Sequence, residues 1–145
     1  MSNLNKTRDK VQTILTSKLG KIQLDRDGNF RIEYESTMAN ISVKESDDWT
    51  LIEVTSPIAF NSNHSSEIFE FCNLLNMTLE FGTVIYSYDP NGDSKQNMTI
   101  IKHVLLGNTL DPDELMNAVI AVIKTADDID EVFVNKFGGQ RYLDR

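Results

Sequence analysis

The chain has one cysteine, three prolines and one tryptophan among its 145 residues, and each scarcity excludes something. A lone Cys72 forbids an internal disulfide and cannot build a cysteine-based zinc site, which sets the expectation of a reducing, cytoplasmic location. Basic residues are outnumbered 14 to 22, giving a formal net charge of −8 and a pI of about 4.7. Nucleic-acid affinity comes largely from Lys and Arg neutralising phosphates, so a surface of this sign argues against nucleic acid and against anionic membranes. No apolar run approaches the ~18 residues of a membrane span. The polar opening Met1-Ser2-Asn3-Leu4-Asn5-Lys6 does not resemble a signal peptide.

What is present is ordinary globular material, 40% hydrophobic and 25% charged. The length fits one domain spanning 1–145, because domains cluster at ~100–150 residues.

Leu4, Val11, Ile14, Leu15 and Leu19 recur at helical spacing and predict a first helix ending near Gly20. The period then changes. Phe30, Ile32 and Tyr34 alternate with charged residues after the Asp27-Gly28-Asn29 turn, and Ala39, Ile41 and Val43 follow. Trp49 to Thr55 gives a third strand, with Trp49, Leu51 and Glu53 on one face and Ile52 and Val54 on the other. Pro57 removes a ladder donor and marks where that strand stops or reaches an edge.

The polar run Asn61–Ser66 offers caps for a second helix carrying Ile68, Phe69, Phe71, Cys72, Leu74 and Leu75, apolar over a wide arc and so expected to be deeply buried. Val84, Tyr86 and Tyr88 alternate on the next strand, and Asp89-Pro90-Asn91-Gly92 is turn chemistry, with Asn-Gly suited to positive φ. A last strand, Met98 to Leu106, is apolar on both faces and therefore expected to be central. Asp111 as N-cap, Pro112 at N1 and Glu114 at N3 start the final helix. Its stripe of Leu115, Ala118, Val119, Val122, Ile123, Ala126, Ile129, Val132, Phe133 and Phe137 predicts one long helix to Gly138-Gly139, with a break at Asp127-Asp128 as the alternative. The order α-β-β-β-α-β-β-α places the chain in the α+β class, an antiparallel sheet flanked by helices.

No catalytic constellation emerges, so catalytic, cofactor-binding and metal residues are all expected to be none. The segment from Asp89 begins like a calcium loop, but Ser94 and Ile100 stand where that loop needs its glycine and its bidentate glutamate. His64 and His103 have no ligand-spaced partner, and Cys72 sits mid-helix among apolar residues, where a thiol behaves as a small hydrophobe. There is no serine elbow and no glycine-rich phosphate loop. Acidic pairs such as Asp47-Asp48 and Asp127-Asp128 read as solvated faces.

Three helices packed on one side would leave the other side of the sheet uncovered, so Met98, Ile100 and Val104 against Ile101 and Leu105 call for a dimer or a bound peptide. The candidate partner-binding sheet surface comprises Trp49, Leu51, Tyr86, Tyr88, Ile101 and His103.

In element order across nearly the whole chain, and more specifically from Phe71 to Gly139, the sequence resembles the YbjN-like proteins, whose fold is shared with type III secretion chaperones. The residues that carry this are Leu74-Leu75-Asn76, Gly82-Thr83-Val84, a polar turn, an apolar strand, Leu110-Asp111-Pro112-Asp113-Glu114 and the terminal Gly-Gly. The resemblance implies a helix-flanked antiparallel sheet, homodimerisation, and a peptide-binding, chaperone-like or regulatory role without enzymatic activity. A protein or extended peptide is thus the expected partner. A small-molecule sensor, with Trp49 and the tyrosines lining a pocket, is the alternative, and an unrecognised hydrolase a third.

Overall fold

The computed structural model describes residues 3–145; Met1 and Ser2, the first residues of the polar opening, lie outside the described residues. The elements are α1 (Asn3–Leu19), β1 (Gln23–Leu24), β2 (Phe30–Tyr34), β3 (Thr37–Ser46), β4 (Trp49–Phe60), α2 (Ser66–Asn76), β5 (Thr83–Tyr88), β6 (Asn97–Leu106) and α3 (Pro112–Phe137), followed by a 3₁₀ turn at Tyr142–Asp144. The strands form one antiparallel sheet in the order β1-β2-β3-β4-β6-β5. The α+β architecture and element order are those expected from the sequence, with one addition. The two-residue β1 pairs Gln23 with Arg31 and Leu24 with Phe30 and is too short to show an alternation.

All three helices lie on one side of the sheet. Ile41, Val43, Ile52, Val54, Val84 and Ile101 point to that side and join Val11 and Leu15 of α1, Ile68 and Cys72 of α2, and Leu115, Val119, Val122 and Phe133 of α3 in one apolar core. Residues directly opposite in an antiparallel pair share a face, so the register identifies the other side as well. Leu51 opposes Leu106, Glu53 opposes Val104, and Ile85 opposes Ile100, all facing away from the helices.

Several expectations are corrected. Of the two outcomes left open at Pro57, β4 does not stop but reaches an edge: it runs to Phe60, with a register shift between Pro57 and Ala59, while its pairing with β3 ends at Thr55 opposite Asn40. Pro57 therefore sits where β4 has lost one neighbour, which is where a missing donor is tolerated. α2 is not deeply buried. Only Ile68 and Cys72 are, while Phe69 and Leu74 are exposed, Leu74 to 55%. At the Asp89–Gly92 turn neither Asn91 nor Gly92 takes positive φ. The Asp89 carboxylate instead accepts from the Asn91 amide (2.9 Å), an Asx turn.

α3 is one unbroken helix, which settles the choice left open by Asp127-Asp128. Its start is as read: the Asp111 carboxylate accepts from the Glu114 amide at 2.8 Å. Asp111→Ala should cost about 1 kcal/mol, the usual worth of such a cap, as a shift in urea midpoint at unchanged m-value. Its stripe has one error, since Val132 is exposed and Asp130 is buried in its place. The helix ends at Gly138 and Gly139, with φ of +76° and +89°.

Candidate functional site

The six residues expected to form one surface fall on two sides of the sheet. Trp49 and Leu51 face away from the helices, Trp49 being 53% exposed. Tyr86, Tyr88, Ile101 and His103 face the helices, because Tyr86 opposes Thr99, Tyr88 opposes Asn97, Ile101 opposes Ser56, and His103 opposes Val54. Ile101 is fully buried in the core and has no surface to offer. A pocket lined jointly by Trp49 and the tyrosines does not form.

The helix side of β5 carries an aromatic cluster. His64 Nδ1 lies 2.7 Å from the Tyr86 hydroxyl, the His64 and Tyr88 ring centroids are 4.7 Å apart, and Phe69 meets Tyr86 edge-on at 5.3 Å. Burial, with the neighbouring Tyr88, raises the Tyr86 phenol above its ordinary pKa. His103 is held as well: its Nδ1 accepts from the Gly82 amide at 3.0 Å. Cys72 is buried, and burial pushes its thiol up to about 11, so at neutral pH it stays protonated and poorly nucleophilic. Among the described residues no group of three or more His, Cys, Asp or Glu stands where it could hold a metal.

The side away from the helices is different. Leu51, Ile85 and Ile100 are half-buried, Val104 and Leu106 are 43% and 42% exposed, and Met98 and Trp49 lie at its margins. The apolar residues form two patches, Leu51, Leu106 and Val104 on β4 and β6 and Ile100 and Ile85 on β6 and β5. A polar band of Glu53, Thr55, Lys102 and Thr83 crosses between them. Glu53 pairs with Lys44, and Lys102 Nζ stands 4.0 Å from its other oxygen. Half-exposed ion pairs of this kind contribute ~0–1 kcal/mol. The sequence placed Trp49 and Leu51 in the candidate surface and marked Met98, Ile100 and Val104 as needing cover; Ile85 and Leu106 had to await the register.

At Val84 the outer edge of β5 is capped by a side chain. Asn76, at the end of α2, accepts from the Val84 amide at 2.7 Å and donates to the Val84 carbonyl at 3.0 Å, copying the two bonds of a neighbouring strand. The sequence signal for it was an Asn just past an apolar helix and eight residues before a strand valine, visible only in hindsight of the fold.

One further polar cluster lies at the opposite end. Ser36, between β2 and β3, has its hydroxyl 2.5 Å from Asp127 Oδ1 and also in contact with Asp130 Oδ2 of the same helix. Burial raises the Asp130 carboxyl above its ordinary pKa, opposed by its bond to Ser36.

A helix-backed antiparallel sheet with an uncovered apolar face is the architecture of a chaperone-like binding module. The chain belongs to the family of T3SS (YopN, CesT) and YbjN peptide-binding chaperones, which it matches over residues 5–145. Solved structures agree on the fold. The ExsC–ExsE complex superposes with a TM-score of 0.62 at 10% identity, covering 86% of this chain and 94% of that one. The Yersinia pestis type III secretion chaperone SycH, solved with a fragment of YscM2, gives 0.52 at 11% identity, covering 88% and 98%. YbjN from E. coli gives 0.57 at 10% identity, covering 89% and 93%. No curated protein matches the chain in sequence. The match over residues 5–145 agrees with the resemblance read across nearly the whole chain.

Proposed function

We propose that residues 1–145 act as one non-catalytic unit that docks an extended segment of a client protein on the sheet face away from the helices. The observation that carries this is a pair of apolar patches, Leu51, Leu106 and Val104 on one side of Lys102 and Ile100 and Ile85 on the other, which no helix of the described residues covers. The face is shaped for a strand-like ligand, since side chains of one sheet face recur at the ~3.3 Å per residue spacing of an extended chain. Membership of a peptide-binding chaperone family supports the same reading, and the solved complexes ExsC–ExsE and SycH–YscM2 show relatives of this fold holding another polypeptide. The client is thus a protein or extended peptide. No helix among the described residues is long and apolar enough to cross a membrane, which is compatible with work in the cytoplasm.

A homodimer belongs to the same proposal. Phe69, Leu74 and Met77 are exposed apolar side chains on α2 and its end, on the other side of the sheet from the client, so two copies joined through this helix would each keep a free client face.

The test is binding of an array of synthetic extended peptides to the parent, Leu51→Asp and Val104→Asp proteins. Both variants should lose at least about 2 kcal/mol of binding, roughly thirtyfold, while remaining folded because the sites are partly exposed. A parent that captures no peptide, or variants that bind as the parent does, would sink the reading. Sedimentation of the parent should give a dimer that persists in both variants.

A further inference from the structure

The open face is not bare along its whole length. Where β3 ceases to pair with β4, beyond Asn40 and Thr55, the segment that follows α3 takes its place. Gln140 exchanges both backbone hydrogen bonds with Phe60, at 2.8 and 2.9 Å, as a strand would. The chain then turns over the face. The Arg31 guanidinium lies 5.3 Å from the centroid of the Tyr142 ring, the Tyr142 hydroxyl donates to Glu33 at 3.4 Å, and the Leu143 amide donates to the Ser36 carbonyl at 3.1 Å. Arg145 stands 4.0 Å over the Phe60 ring, and an Arg141–Asp144 ion pair at 2.8 Å braces the turn. Met38 and Pro57, which point to this side, are buried where the turn crosses β3 and β4.

The hold is light. Leu143 is 60% exposed, and the anchoring contacts are a few backbone bonds and cations over rings at the surface. Nothing from residues 140–145 enters the apolar core. Segments with few buried apolar contacts open at low free energy.

Resting on the peptide-face reading, we propose that residues 140–145 are a resident occupant of that face, a strap that an incoming client segment displaces. The client pairs with β4 beside Phe60 and gains the surface of Arg31, Met38 and Pro57 in addition to the rows from Leu51 to Ile85. The segment that fits repeats the strap's own chemistry: one extended residue to bond Phe60, then an aromatic side chain for Arg31. The device sets a threshold, because a competitor must outbind a ligand that is already attached.

The hinge of the strap supplies the test. A Cβ at Gly139 would stand 2.4 Å from the Phe60 carbonyl oxygen, at a φ of +89°, so Gly139→Ala cannot keep the Phe60–Gln140 bonds. The probe is a labelled synthetic peptide of residues 138–145. It should bind the chain truncated after Gly139, and Gly139→Ala, at least about tenfold more tightly than the intact chain, as follows if the strap is open about one tenth of the time. Tyr142→Ala in the intact chain should shift affinity in the same direction and covers the case in which truncation impairs folding. Equal affinity in all forms overturns the proposal. The peptide array run on the same proteins separates the two ideas. Capture that Val104→Asp abolishes but truncation leaves unchanged sinks the strap and spares the client face. An array silent on every form sinks both.

Discussion

Phe133→Ala should destabilise the protein by about 3–5 kcal/mol, the range for removing a fully buried aromatic ring, and lower the thermal midpoint by more than ten degrees or so. Phe133 is fully buried. Its ring packs against Phe71 of α2 at 5.8 Å and Phe137 of α3 at 4.9 Å, so one side chain ties the second helix to the third. α2 contributes only two buried residues of its own, and its seat on β5 is narrow. Losing the ring therefore leaves a cavity beside an element with little else to hold it. Phe133→Leu, which keeps most of the volume, should recover more than half of the loss. Urea titration followed by far-ultraviolet circular dichroism checks both, and a Phe133→Ala loss below about 1 kcal/mol would contradict the packing described.

The second large effect concerns a proton. The Ser36 hydroxyl has one hydrogen and stands within bonding distance of two carboxylate oxygens, those of Asp127 and Asp130. It can donate to only one of them, so the other contact needs a proton on a carboxyl group. Burial selects Asp130, whose pKa is raised, while Asp127 also accepts from the Ser36 amide at 3.2 Å. The chain of donors runs from the Asp130 carboxyl to Ser36 and on to the Asp127 carboxylate.

A group with a higher pKa folded than unfolded binds more protons in the native state between the two values. Its stabilising contribution is complete below the ordinary Asp pKa of about 3.9. That contribution is lost as pH rises through the folded value, and Asp130 then becomes a buried charge. Asp130→Asn mimics the protonated form, since its amide can donate to Ser36. The variant should gain on the parent steadily as pH rises from about 4 toward 8, and the difference should flatten once Asp130 is ionised. Ser36→Ala, which sets the two carboxyl groups side by side with no bridge, should cost about 1–3 kcal/mol at neutral pH. Asp25 and Asp144 have lowered pKa values, Asp25 chiefly from the Asn29 amide and Asp144 from Arg141, and act in the opposite sense, losing stability as pH falls. They are common to both proteins, so the difference between parent and Asp130→Asn isolates the one proton. A difference independent of pH would remove the assignment.

How far the sequence foretold this molecule depends on the range of the signal. Local chemistry was legible. Asp111-Pro112-Asp113-Glu114 announced a helix start whose N-cap bond the structure shows, and the alternation of Trp49 and Leu51 against Ile52 and Val54 divided them between two faces as observed. Sidedness across strands was not legible. Alternation fixes which residues of one strand share a face, but the register between distant strands decides which of those faces meets the helices, and a one-residue slip inverts it. Ile101 and the two tyrosines were grouped with Trp49 for that reason. Asp130 was missed for another. Its position four after Ala126 and three before Phe133 is a core position, yet an acidic residue there makes sense only once Ser36, 94 residues earlier, is seen beside it. α2 was read as buried because its apolar arc is wide, when part of that arc is exposed surface.

The Asn76 amide at the rim of β5 has a consequence for how these molecules can meet. A sheet edge with free backbone groups invites a further strand, and strands added without limit make fibres. Here the one side chain has taken up the Val84 bonds, and at the far edge β1 offers only two residues. Growth of the sheet from molecule to molecule is thereby hindered at Val84 and given little to pair with at β1. If the apolar face is kept open for clients as proposed, self-association is a standing risk, and a capped edge works against the open-ended, strand-by-strand form of it.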